Sequence, residues 1–486
     1  MTYARFARRL AGAAAVSIAF SAVAQAQTTD PVIFSFATVG DTRTDPTGFD
    51  PTTTVNPTAT VACETSGCAI SSTGSLLAQD ARFLQNTKAW QRIIRTEQSR
   101  KPKLFFVNGD LIMGYGRATY PTGTSGVINS LATLKNSDVY KANLQYAYWR
   151  GMITPLLETG TMVLPVAGNH ETQCSSGVTV NGAYNATTNP TGCYKPSSGT
   201  GKTAYAENET LWRDNMGDLI GNGQNQFQKI TGFTPANWNG LTAATAPGAS
   251  DTCPASDPAT GAYGSCGAAT PVGSDQSKLS YSFDIALANG KKLHFAVINT
   301  DPTGNDSHAP VNWLKTDFAS AKTNGATNFF VFGHKPAFTY DYNTANNNGL
   351  AAVTGAGLDG VTTPPTVADF WKLIGDYNAT YFCGHEHISH VQTYSVTGTD
   401  GTTKTPVQVL VGAGGSPWDY KPTAVTAPTA YQEPTLAATG QSQYDRYYGW
   451  ADVQVHQSGA VTLSMSYFSD AFGPTITLSP LAGNLQ

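Results

Sequence analysis

Five short apolar runs, spread along most of the chain, each stop at a glycine followed by Asp, Asn or His. The first, Val32 to Val39, ends at Gly40-Asp41-Thr42-Arg43, and Leu104 to Val107 ends at Asn108-Gly109-Asp110. Met162 to Ala167 leads into Gly168-Asn169-His170-Glu171, Phe329 to Phe332 into Gly333-His334, and Tyr381 to Cys383 into Gly384-His385-Glu386-His387. A buried strand that opens into a Gly-polar turn is how an α/β sheet presents functional groups, at the carboxyl ends of its strands. One such ending arises easily by chance. Five that carry only oxygen and nitrogen ligands constrain the chain to a fold that brings those ends together. Residues i and i+2 of a strand share a face, so His385 and His387 lie side by side if the strand runs through them. Neutral imidazole is the commonest protein metal ligand, and the chain has only 8 histidines in 486 residues.

Between these runs the hydrophobic spacing predicts helices from about Gln79 to Arg100, Asp138 to Leu157, Val311 to Lys322 and Val367 to Tyr377. Tyr281 to Ile285 and Leu293 to Asn299, with Ala288-Asn289-Gly290 between them, read as a hairpin. Val407 to Val411, Ala451 to Val455 and Val461 to Phe468 read as closing strands. Strand and helix alternate in the first half and hairpins follow, which predicts one large α/β unit on two sheets. Residues 44–80, 172–279 and 340–365 are rich in Gly, Thr, Pro, Ser and Asn and are expected as loop insertions, leaving a single domain over 27–486.

Residues 1–26 read as a secretory signal peptide, with Arg5, Arg8 and Arg9, an apolar stretch from Leu10 to Val23, and Ala24-Gln25-Ala26 as cleavage site. The expected product is secreted or periplasmic. Its removal takes the formal charge from −4 to −7, a balance that argues against nucleic acid or an anionic membrane as partner; the oligomeric state carries no sequence signal. Six of the seven cysteines fall in close pairs, Cys63 with Cys68, Cys174 with Cys193 and Cys253 with Cys266. Three local disulfides are the simplest connectivity in an oxidising compartment, and crossed pairings stay open. Cys383 is left over and is expected as a small buried hydrophobe. Gly201-Lys202-Thr203 has part of a phosphate-loop pattern but follows no strand. His294 sits in an alternating strand and reads as a core or face residue.

Gly168-Asn169-His170-Glu171, Gly333-His334-Lys335-Pro336 and Gly384-His385-Glu386-His387, in this order after Gly40-Asp41 and Gly109-Asp110, resemble the motifs of the calcineurin-like metallophosphoesterase superfamily. Within it they look closest to the purple acid phosphatase branch. The resemblance implies a two-sheet αββα sandwich carrying long disulfide-bearing loops. It implies a dinuclear centre of Fe, Zn or Mn, with Asp110 bridging, Asp41 and His387 on one metal, and Asn169, His334 and His385 on the other. His170 would stand beside the phosphate as acid or transition-state stabiliser, with Glu171 orienting its ring. The implied reaction is phosphoester hydrolysis by an activated water, on a small-molecule phosphoester and with no covalent intermediate.

Two positions depart from that pattern. The superfamily has His where this chain has Arg43, and purple acid phosphatases have Tyr where it has Met113, with Tyr115 two residues further on. One metal shell is therefore expected to be incomplete and closed by water or by Tyr115, or its metal weakly held or absent; two metals with one open site is the favoured arrangement. Arg43 becomes a candidate phosphate clamp, because a guanidinium offers paired donors to phosphate oxygens. A phosphomonoester is the favoured substrate. A diesterase of the same fold and a non-catalytic secreted binding protein are the alternatives.

Overall fold

The computed structural model describes residues 30–43, 78–118, 134–135, 137–175, 202–220, 224–241, 275–303, 307–339, 349–350, 367–416, 448–468 and 477–485. The strands of its two large sheets are β1 (Val32–Val39), β2 (Leu104–Asn108), β3 (Met162–Val166), β4 (Ala236–Gly240), β5 (Tyr281–Ala286), β6 (Lys292–Val297), β7 (Asn328–Phe332), β8 (Thr380–Cys383), β9 (Ser389–Thr393), β10 (Val407–Val411), β11 (Tyr448–His456), β12 (Val461–Phe468) and β13 (Thr477–Asn484). The helices are α1 (Ala78–Arg100), α2 (Asp138–Glu158), α3 (Asn169–Thr172), α4 (Ala206–Met216), α5 (Gln224–Thr231), α6 (Val311–Thr323) and α7 (Val367–Asp376).

The first sheet has the order β13-β12-β11-β1-β2-β3 and the second β9-β10-β8-β7-β6-β5-β4. Each has a parallel centre, β1-β2-β3 in one and β6-β7-β8-β10 in the other, with antiparallel strands outside it. The pattern follows burial. Every residue of β2, β3, β7 and β8 is buried, as strands covered on both faces require, whereas β12 alternates in the manner of a strand with one covered face.

Phe36 of β1 joins the sheets. Its ring lies 5.5 Å from that of Phe295, 5.0 Å from Phe330 and 5.7 Å from Phe382, all on the opposite sheet. Phe106 stacks on Phe332 with centroids 3.6 Å apart. A buried Phe contributes about 1.5–3 kcal/mol through area alone, so this aromatic layer dominates the interface. On the outer face of the first sheet, Trp90 of α1 and Trp149 of α2 stack at 6.4 Å above Phe105. On the outer face of the second, Leu314 and Phe318 of α6 and Phe370, Trp371 and Ile374 of α7 pack with Val331, Tyr381 and Cys383. The result is the expected four-layer αββα sandwich. Cys383 is a free, buried thiol.

One expectation changes. Residues 172–279 are not simply a loop, because α4, α5 and β4 lie within them and β4 pairs with β5 to extend the second sheet. The sparse apolar residues of Ala236–Gly240 hid this edge strand, whose side chains are half-buried or exposed. Lys202 and Thr203 belong to a short strand paired with Gln173–Ser175, which excludes a phosphate loop. Five of the six expected bridging cysteines, and residues 1–26, lie outside the described residues. Among the described residues no helix is long and apolar enough to cross a membrane.

The parallel registers level the strand ends. Val39 pairs with Val107, Asn108 with Val166, Val297 with Phe332 and Phe332 with Phe382, so the five turns all leave the sandwich at one edge. Backbone bonds tie the sheets together there, from Gly40 N–H to the Val411 carbonyl and from Gly414 N–H to that of Gly40.

His294 is a structural histidine. Its Nδ1 meets Asp284 at 2.8 Å and its Nε2 meets Asp317 at 2.9 Å. Burial presses its pKa down, but the two aspartates outweigh it and raise the ring to about 8 from 6.5. Folding thus favours the protonated ring: the contribution is full below pH about 6.5 and is lost as pH rises through about 8. The stability difference between the native chain and His294→Gln should shrink by roughly 2 kcal/mol between about pH 6 and pH 9 in chemical denaturation. A difference that stays flat over that range would contradict this account.

Candidate metal centre

At the levelled edge the backbone departs from ordinary geometry. Asp41, Asp110, Tyr115 and His385 all have positive φ, at 58°, 53°, 59° and 74°. They are half of the non-glycine residues with that property among those described, and such conformations persist only where surrounding structure enforces them. Gly109, at φ +81°, has a second constraint: a Cβ there would lie 2.4 Å from the His334 ring. A Cβ on Gly384 would meet Asp41 Oδ2 at 2.5 Å. The turns need glycine because the side chains they present are already in contact.

Asp110, His334 and His385 form one group of potential metal donors. His334 Nδ1 lies 2.8 Å from the Asn108 carbonyl; a carbonyl only accepts, so Nδ1 donates and the opposite nitrogen faces the centre. That atom, Nε2, lies 2.7 Å from Asn169 Oδ1, 3.1 Å from Asp110 Oδ1 and 3.1 Å from His385 Nδ1. One N–H cannot serve three acceptors. Carboxylate, amide and two imidazoles converging in this way fit a divalent cation of the Zn, Fe or Mn type. The electrostatics agree. Burial presses His334 down, yet the charge and hydrogen bond of Asp110 outweigh it and raise its pKa to about 9. The field that favours a proton at Nε2 favours a cation that displaces it. Burial and the neighbouring His334 and Lys335 charges hold His385 neutral, well below its usual range.

Asp41, Asp110 and His387 form a second group that shares Asp110 with the first. Asp41 Oδ2 accepts the His385 N–H at 2.7 Å, while Oδ1 is buried without a hydrogen-bond partner among the described residues and lies 3.4 Å from His387 Nε2. Arg43 enters here. Its Nη2 meets His387 Nε2 at 2.6 Å, its Nη1 makes a short contact with His170 Nε2, and its Nε donates to Ser416 Oγ at 2.9 Å. Burial works against ionisation of Asp110, but His170, His334 and Arg43 together hold its carboxyl well below the usual range.

All ten candidate residues from the sequence thus reach one edge, but two take different places from those expected. Tyr115 does not complete the Asp41 and His387 side. Its hydroxyl accepts a short hydrogen bond from the Asn169 amide nitrogen, which turns Asn169 Oδ1 toward His334. Burial raises its pKa well above the usual phenol range, so the hydroxyl stays protonated. The ring of His170 is oriented by the Met113 carbonyl, 2.5 Å from Nδ1, rather than by Glu171. Glu171 instead accepts the backbone N–H groups of Asp110, Leu111, Ile112 and Gly168 at 2.7–3.1 Å. It braces the turn that carries Asp110. Sequence reasoning missed Ser416, which accepts from Arg43 and donates to the Asp41 carbonyl at 2.8 Å. Its signal was the Gly412-Ala413-Gly414-Gly415 turn after β10. Trp418 and Tyr420, aromatics that follow this turn in the sequence, lie outside the described residues.

No known family matches the sequence, and no curated protein does. Solved structures with related architecture include a purple acid phosphatase from yellow lupin (Lupinus luteus) seeds, at 12% identity and a TM-score of 0.39, covering 92% of this chain and 53% of that one. The chain therefore spans about half the length of the lupin protein. Others are a dimetal phosphatase from Danio rerio, at 9% identity, a TM-score of 0.33, and coverage of 93% and 100%, and the protein PhoD, at 10%, 0.40, and coverage of 93% and 69%.

Two outcomes follow from the bracing contacts. Glu171→Ala strands four backbone donors and should cost about 3 kcal/mol or more in denaturation midpoint analysis. Tyr115→Phe should leave the fold intact but weaken Mn(II) affinity by about tenfold in titration calorimetry, as loss of an outer partner of a ligand does. Unchanged affinity would mean the Asn169 amide is set by other contacts.

Proposed function

We propose that this chain is an exported, metal-dependent phosphoester hydrolase that favours phosphomonoesters. The observation that carries the reading is the single buried Asp110 carboxylate shared between two convergent donor groups. Asp110, Asn169, His334 and His385 would hold the cation. When bound, such an ion polarises a phosphoryl oxygen and lowers the pKa of water.

The surrounding side chains supply the rest. Arg43 presents parallel N–H donors beside that group, and a phosphate oxygen is a stronger, charge-assisted partner for them than a neutral imidazole. Phosphate binding there releases the Nε2 lone pair of His170. Because Nδ1 of that ring donates to the Met113 carbonyl, Nε2 is the atom that takes or gives a proton, with Asp110 Oδ2 at 3.5 Å to steady the charged ring. Export rests on residues 1–26 as read in the sequence. The contact of Arg43 with His170 and His387 favours one second reading, a secreted binding protein without turnover.

The purified chain loaded with Mn, Fe or Zn should hydrolyse an aryl monophosphate faster than a bis-aryl phosphate. Asp110→Asn and His170→Ala should each lower kcat by about 100-fold or more while circular dichroism stays native. Metal loading without hydrolysis of either ester would leave the binding-protein reading.

A further inference from the structure

A metal ion at Asp41, Asp110 and His387 requires the Nε2 lone pair of His387, at about 2.1 Å for a zinc-like ion. That lone pair is already directed at Arg43 Nη2, 2.6 Å away. One lone pair cannot serve a guanidinium N–H and a metal ion together, so the second donor group does not fit a metal while Arg43 keeps its place. Nor is Arg43 a loosely placed side chain. Its Nε is anchored on Ser416 Oγ, Ser416 is itself anchored on the Asp41 carbonyl, and the Asn86 side-chain amide holds the Arg43 carbonyl at 3.0 Å. Each guanidinium nitrogen therefore has a partner drawn from a different turn of the site.

We infer that the Arg43 guanidinium is the resident second cation of the centre, and that the chain binds one metal ion, at Asp110, Asn169, His334 and His385. This rests on the metal-dependent reading above. The guanidinium places a positive charge at the second donor group without an exchangeable ion. It also differs from a metal in what it offers a substrate. A planar fork donates to two oxygens of one phosphate; with a third oxygen polarised by the bound ion, the site calls for three free oxygens, which a monoester has and a diester lacks. Monoester preference and single-metal occupancy then have the same cause.

The test is the metal stoichiometry of the full chain, stripped with chelator, reloaded with Mn(II) and measured by equilibrium dialysis with metal analysis. The native chain is expected to hold one equivalent, with the electron paramagnetic resonance of an isolated ion. Arg43→His supplies a ligand in place of the guanidinium and is expected to hold two, with an exchange-coupled spectrum. Arg43→Ala, which only removes the guanidinium, should regain weak binding of a second ion. Two equivalents in the native chain overturn the inference and leave the hydrolase reading standing; no bound metal overturns both. One equivalent in both natively folded variants also overturns it, because the guanidinium is then not what excludes the second ion.

Discussion

Asp110 is an ionised carboxylate with 1% of its surface exposed, and taking such a group out of water costs several kcal/mol unless opposite charge and hydrogen bonds surround it. The site can be understood as the set of groups that make this burial possible. His170, His334 and Arg43 supply the electrostatic offset, and the Gly168 turn adds the His170 N–H, 3.1 Å from Asp110 Oδ1. Glu171 holds the turn itself in its left-handed conformation through the Asp110, Leu111 and Ile112 amides. These partners come from β1, β3, β7 and their loops, so Asp110 is stable only when separate parts of the chain arrive together.

That requirement makes strand register a functional quantity. A slip of one residue moves a strand end by about 3.3 Å, as far as a hydrogen bond reaches, and turns each side chain to the other face. The aromatic layer between the sheets resists such a slip. Phe106 stacks on Phe332 and Phe36 rests against rings of three neighbouring strands of the opposite sheet, and close-packed interiors do not tolerate a residue-long shift. The packing of the core and the geometry of the donors are one constraint seen at two distances.

The same reasoning explains what the sequence made visible. Continuous apolar runs ending at glycine mark central parallel strands and their functional ends, and Gly109 and Gly384 must be glycine for contacts with His334 and Asp41. Those signals are local, and together with the family resemblance they singled out ten residues that meet at one edge. What stayed hidden depended on partners distant in sequence. Ser416 lies 373 residues from the Arg43 side chain it accepts from, and nothing in Gly412-Ala413-Gly414-Gly415 encodes that meeting. Glu171 follows His170 directly, which suggested a role on the imidazole, but in the short α3 its side chain turns back to the Gly168 and Asp110 amides. Tyr115 looked like a displaced ligand because sequence distance from Asp110 was the only measure available; the left-handed backbone at Tyr115 aims its hydroxyl at Asn169 instead. Strand β4 was missed for a different reason: an edge strand with little buried surface carries almost no hydrophobic signal.

On the single-metal inference, Arg43 stands where a second ion would otherwise sit. Asp41 and Asp110 bring two buried carboxyls to the edge; burial raises the Asp41 pKa, and ionising both calls for a cation beside them. A histidine in the first turn would add a neutral donor and leave that cation to be captured from solution. Arginine carries the charge in the chain, fixed by Ser416 at one side and by two imidazoles at the other. On that inference the site gives up a Lewis acid in exchange. A guanidinium cannot lower the pKa of a bound water as a metal does, but it keeps its charge at any working pH and holds phosphate oxygens in a fixed plane. On that inference the ends of β1 and β8 divide the labour of the centre unequally. His385 faces the donors that fit a metal, while His387, two residues on, faces a cation that the protein encodes itself.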